Sequence, residues 1–152
     1  MARPRHNPGK DLIMKTRTVA SWIAFVGGCI VIFQGIRHFP LAYQMAEDKE
    51  FAGLSTNASD MLILLWLCIG ILLLNFGILS LYFSRRLRAG DQAARVFFLC
   101  GGITYFVRTL RELKYPVLIP TANHFVLVSV FLVCLLFLIP VLLTRSHEAV
   151  SS

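Results

Sequence analysis

The sequence lacks most features from which soluble enzymes and nucleic-acid binders are read. No glycine-rich phosphate loop, Cys-x-x-Cys pair or His-Glu-x-x-His motif occurs in its 152 residues. That removes the readiest routes to nucleotide, structural-zinc and metalloprotease chemistry. Acidic residues are scarce, 8 Asp and Glu against 15 Lys and Arg, giving a net charge of +7. Such an excess can mark a nucleic-acid binder. Here, however, most of the basic residues fall in the gaps between long apolar runs, where membrane topology uses them. Nucleic acid is therefore not an expected partner. The 4 cysteines (Cys29, Cys68, Cys100 and Cys134) fall one per apolar run. So placed they read as small packing residues, not as a disulfide or zinc framework. No carboxylate stands near the middle of any run, where proton-coupled carriers usually place one. No Ser or Cys sits in a recognisably activated setting, so nothing decides for an enzyme.

What the sequence has in abundance is apolar length. Its apolar fraction of 57% exceeds the roughly 45–50% of soluble domains. Four runs at residues 19–39, 61–83, 94–114 and 123–143 are each long enough to cross about 30 Å of hydrocarbon as a helix. The expected fold is all-α: an integral membrane four-helix bundle within residues 18–145. It is preceded by a basic arm at 1–17 and followed by a polar tail at 146–152. No small-x-small cleavage site follows the first run, which predicts an uncleaved span rather than a secretory signal.

Local signals set the expected connections. Pro40 disfavours helix at the residue before it and predicts the end of the first span. In the stretch 41–60, Leu41, Met45, Phe51 and Leu54 alternate with Glu47, Asp48 and Glu50, which predicts a short amphipathic helix on the membrane surface. Asn57-Ala-Ser59 has the form of a glycosylation sequon but reads better as a turn, with Ser59 or Asp60 capping the second span. Pro116 and Pro120 predict a stiff turn before the fourth span. The first two spans share a Gly-x6-Gly-Ile frame, Gly28 to Ile36 and Gly70 to Ile78. Small residues repeated on one face allow close helix contact, within the bundle or across a homodimer.

Arg85, Arg86, Arg88 and Arg95 crowd the connection between the second and third spans. Short basic loops stay cytoplasmic, so both termini are expected in the cytosol, in a bacterial inner membrane. That topology places a second polar set at the opposite side: Gln34, Arg37, His38, Asp60, Tyr105, Arg108, Arg111, Glu112, Asn123 and His124. The positive-inside rule alone would empty that side of arginine.

Tyr105, Arg108, Arg111 and Glu112 are spaced i, i+3, i+6, i+7, and Gln34, Arg37 and His38 i, i+3, i+4. Each set is expected to form one polar face. Arginine forks suit carboxylate, phosphate or sulfur oxyanions, and the helix start near Asn123 adds N–H groups. A histidine there could transfer protons. These residues predict an outward-facing pocket for an anionic small molecule, a lipid head group or a quinone in a non-enzymatic membrane subunit. A bland alternative is arginines snorkelling to phosphates and an Arg108–Glu112 pair along one helix. A third is a redox subunit in which His38 and His124 ligate a haem or contact a quinone. A small oligomeric transporter is the remaining alternative. The expected partners are the bilayer, a second copy or a larger membrane complex.

Three features together resemble the DoxX-like group of small four-span bacterial membrane proteins. They are a glycine-containing first span closing as Gly35-Ile-Arg-His-Phe39, a long first outer connection, and a third span ending Arg108-Thr-Leu-Arg-Glu112. The resemblance covers residues 19–143 and is one of layout. It implies a role in quinone-linked thiosulfate oxidation or in membrane redox and stress complexes, and directs interest to Arg37, His38, Arg108 and Arg111. No motif here assigns the thiosulfate activity itself.

Overall fold

The computed structural model describes residues 8–47, 53–114 and 120–145. They form four helices in order: α1 (Pro8–Glu47), α2 (Thr56–Arg88), α3 (Gln92–Lys114) and α4 (Pro120–Arg145). All four are long and apolar enough to cross a membrane. The expected all-α membrane bundle is the fold.

The helix ends differ from expectation in three places. Residues 8–17, expected as an arm outside the first span, are the first turns of α1. Proline lacks the N–H that a first-turn residue would leave unpaired, and Pro8 opens α1 as Pro120 opens α4. Pro40 does not end α1, which continues to Glu47. Proline forfeits one i→i−4 bond, whereas stopping would release four carbonyls. The surface helix expected after the first span is therefore no separate element among the described residues. Leu41 to Glu47 extend α1, and residues 48–52 lie outside the description, as does most of the Pro116 turn. The cap of α2 is Ser55 rather than Ser59 or Asp60: the Ala58 N–H lies 3.4 Å from Ser55 Oγ and 3.0 Å from the Ser55 carbonyl.

The chain divides into two compact units, Met1–Gly27 with Tyr82–Ser152, and Gly28–Leu81. In the second unit the glycine frames meet each other. A Cβ on Gly35 would lie 3.0 Å from the Gly70 carbonyl and 2.9 Å from the Leu74 nitrogen; one on Gly77 would lie 3.0 Å from the Gly28 carbonyl. Gly28 thus pairs with Gly77 and Gly35 with Gly70, in one antiparallel register. Seven residues is two turns, so both pairs fall on the same seam. Inside hydrocarbon there is no hydrophobic drive between helices, and close backbone approach across small residues supplies the dispersion contact instead. The repeated frame is an intrachain seam.

In the first unit, α3 packs along α4. The inward stripe of α3 is Ala94, Phe98, Gly101, Gly102, Tyr105, Thr109 and Glu112. Phe137 of α4 meets Phe98 and Tyr105 edge to face, with ring centroids 5.3 and 5.9 Å away. Phe97 stacks on Phe83 at 4.7 Å, tying α3 to the end of α2. The Cys134 thiol donates to the Gly102 carbonyl at 3.5 Å.

The turn between α2 and α3 takes only three residues because two end signals overlap. Gly90 has φ +83°. The Gly90 N–H donates to Leu87 at 3.0 Å and the Asp91 N–H to Arg86 at 3.2 Å, the paired bonds of a Schellman motif. Asp91 then caps α3 through Oδ1 to the Ala93 N–H at 2.8 Å, and its Oδ2 lies 3.3 Å from Arg86. The Arg17 guanidinium covers Gly90, 2.8 Å from where a Cβ would stand.

Unfolding in mixed micelles should rank these positions. Gly35→Ala is expected to cost about 1–3 kcal/mol, because backbone atoms must move. Gly53→Ala, with nothing within 4 Å, should change stability by no more than a few tenths of a kcal/mol. At the turn, Gly90→Ala should cost about 1–2 kcal/mol for the left-handed backbone, and Asp91→Ala about 1 kcal/mol for the lost cap.

Candidate functional site

The residues expected to share one polar side fall in both units. Gln34, Arg37 and His38 belong to Gly28–Leu81; Tyr105, Arg108, Arg111, Glu112, Asn123 and His124 belong to the other.

On α3 the expected single face splits. Tyr105 and Glu112 both point inward, 4% and 6% exposed, as two residues seven apart should. Arg108 is half-buried and Arg111 exposed. The reason is angular: each step of three residues falls about 60° short of a full turn, so i+6 lies about 120° from i. Among the described residues Glu112 is held by Arg111, not by Arg108 four residues earlier. Arg111 Nη1 donates to Glu112 Oε1 at 3.1 Å, from a side chain 66% exposed. An exposed arginine thus bends back to a carboxylate that is itself 5% exposed.

That carboxylate is poorly placed for stability alone. It sits near the C-terminus of α3, where the helix dipole disfavours negative charge, and it lies out of solvent. Thr109, on the same stripe, is satisfied by its own helix, with Oγ1 donating to the Tyr105 carbonyl at 2.8 Å. Across the connection, Asn123 lies in the first turn of α4, with its side chain outside the description, and His124 is exposed.

In the other unit, Gln34, Arg37 and His38 also diverge: His38 is buried, Gln34 half-buried and Arg37 exposed. His38 Nδ1 lies 2.7 Å from the Gln34 carbonyl. A carbonyl oxygen only accepts, so Nδ1 carries the proton. The imidazole stacks on Trp66 with centroids 5.1 Å apart and planes 29° from parallel. Trp66 was not among the expected site residues. The paired glycine frames could have found it, since the register that sets Gly35 against Gly70 carries His38 to the neighbourhood of Trp66. Among the described residues, no group of three or more His, Cys, Asp or Glu side chains could hold a metal ion.

Comparison with family models, curated proteins and solved structures finds no match to this chain. What fold and composition define is an integral membrane protein of four spans.

The Arg111–Glu112 contact makes a directional prediction. Arg111→Ala leaves the carboxylate out of solvent without its cation, whereas Glu112→Gln removes the charge and keeps the shape. Arg111→Ala should therefore be the less stable of the two by roughly 1 kcal/mol, and the double variant should recover most of the difference. Thermal unfolding in detergent measures both.

Proposed function

We propose that this chain is a non-enzymatic binding subunit of a bacterial cytoplasmic membrane, with both termini in the cytosol. The end of α3, with the first turn of α4, receives an anionic small molecule or the head group of an anionic lipid at the opposite face. The observation that carries this is Glu112: a carboxylate 6% exposed at the end of a membrane-length helix, one turn beyond the half-buried Arg108 and bonded to Arg111. Ionisable groups on a span are costly and mark binding or transport sites by default. Glu112 orients the Arg111 guanidinium, and Arg108 adds a second planar fork. Two guanidiniums against one carboxylate leave the local charge positive, which suits phosphate, carboxylate or sulfur oxyanions. The orientation rests on the positive-inside rule applied to Arg85, Arg86, Arg88 and Arg95. A place among the DoxX-like proteins fits the same layout and would make a quinone or sulfur oxyanion the natural occupant.

Native mass spectrometry of the protein extracted in mild detergent tests this reading. Wild type should retain an anionic species, and Arg108→Ala/Arg111→Ala should hold it at least about tenfold more weakly, as expected for lost charge-assisted hydrogen bonds. Equal retention by both, or nothing retained by wild type, overturns the proposal. A Soret band or quinone absorbance in the purified protein would move the assignment to a redox subunit.

A further inference from the structure

Of the four spans, α2 is the least covered. Of the most apolar 18-residue window of α2 only 11% is buried, against 28–33% in the other three spans. Its uncovered side is ordered. Met61, Leu65, Cys68, Leu72, Asn75 and Leu79 are all exposed, and their spacing alternates four and three. That is the 3.5-residue repeat of a left-handed helix pair. Five of the six are what lipid would accept. Asn75 is not.

Asn75 stands three residues past Leu72, the midpoint of the 61–83 run, so its amide lies about 4.5 Å from mid-span. The side chain is too short to reach the head groups. Among the described residues it takes part in no hydrogen bond. Facing hydrocarbon, the amide would leave two donors and a carbonyl oxygen unsatisfied, at a cost of several kcal/mol. The α2 seam against α1 lies elsewhere on the helix, at Gly70 and Gly77, so this side is available to another helix.

We propose that the Asn75 side of α2 is the contact surface between two copies of this chain, with Asn75 bonded to Asn75 across the pair. Two features choose a second copy over another protein. A carboxamide is self-complementary, since it donates and accepts with equal facility. And all copies insert with the same orientation, so two α2 helices meet in parallel and each repeat position faces itself about a two-fold axis. A single amide among apolar repeat positions fixes register and partner number, as it does in soluble coiled coils. The inference is independent of the α3 ligand reading.

Cys68, two turns before Asn75 on the same side, reports on the contact directly. In Cys29→Ser/Cys100→Ser protein in membranes, a short bismaleimide should link two copies through Cys68, and Cys68→Ser should abolish the product. In a dilution series in liposomes, Asn75→Leu should weaken the dimer roughly five- to thirty-fold, while Asn75→Gln should stay within about twofold. The proposal is overturned if Cys68 links to nothing or only to a different protein, or if Asn75→Leu dimerises like wild type. It is equally overturned if Asn75→Leu loses helix content, which would place the amide's role inside the monomer.

Discussion

A peptide group inside hydrocarbon has no water to bond, and this constraint shapes every element of the chain. Each span must close its backbone bonds within itself, so the described residues are almost entirely helix. The same constraint explains why α1 passes through Pro40. One forfeited bond is tolerable, whereas a helix end at that point would expose several groups at once. It also removes the usual reason for helices to pack, because lipid is as apolar as leucine. Contact then depends on shape: Gly28 on Gly77 and Gly35 on Gly70 in one unit, and interlocked rings around Phe137 in the other. The tight turn between α2 and α3 uses local backbone chemistry instead, with Gly90 and Asp91 ending one helix and starting the next.

The same physics decided how much was legible in the sequence. Apolar run length alone located four spans, because hydrocarbon thickness fixes a minimum that few other structures meet. Helix ends were less legible. Signals such as Pro40 and Ser59 take their meaning from their surroundings in space, and a proline near a span's edge can sit inside a continuing helix. The glycine frames were visible, but a repeated Gly-x6-Gly cannot say whether it meets its own chain or another copy. The partner became clear only when the two frames were found in one register.

The polar end of α3 shows how far spacing carries. Positions three and seven apart are neighbours on a helix, but adding steps of three accumulates angle. Arg111 therefore left the face that Tyr105 and Glu112 share. Its long side chain reached back to the adjacent carboxylate, a contact that no periodicity rule foresees. Trp66 against His38 was hidden for a different reason. It is a contact between helices, and only an interhelical register reveals it.

The polar residues within the spans differ in how they meet their bonding needs, and that difference separates structural groups from informative ones. Hydroxyls close on their own helix. Ser80 donates to the Phe76 carbonyl at 2.8 Å, Thr104 to Cys100 at 2.9 Å, Thr109 to Tyr105 at 2.8 Å and Thr144 to Pro140 at 2.9 Å. The same i→i−4 bond serves His38 through Nδ1. Such groups cost the membrane little and say nothing about function. A carboxylate and a carboxamide cannot be served this way. The helix's own N–H groups are already committed, so Glu112 has none to accept from, and Asn75 has more bonding sites than one helix can fill. These two side chains need more than the backbone of their own helix supplies. Glu112 has drawn in an exposed arginine from the next position, while Asn75 faces outward with nothing described against it. The helix backbone alone thus serves neither side chain, one at the end of a span and the other near the middle of another.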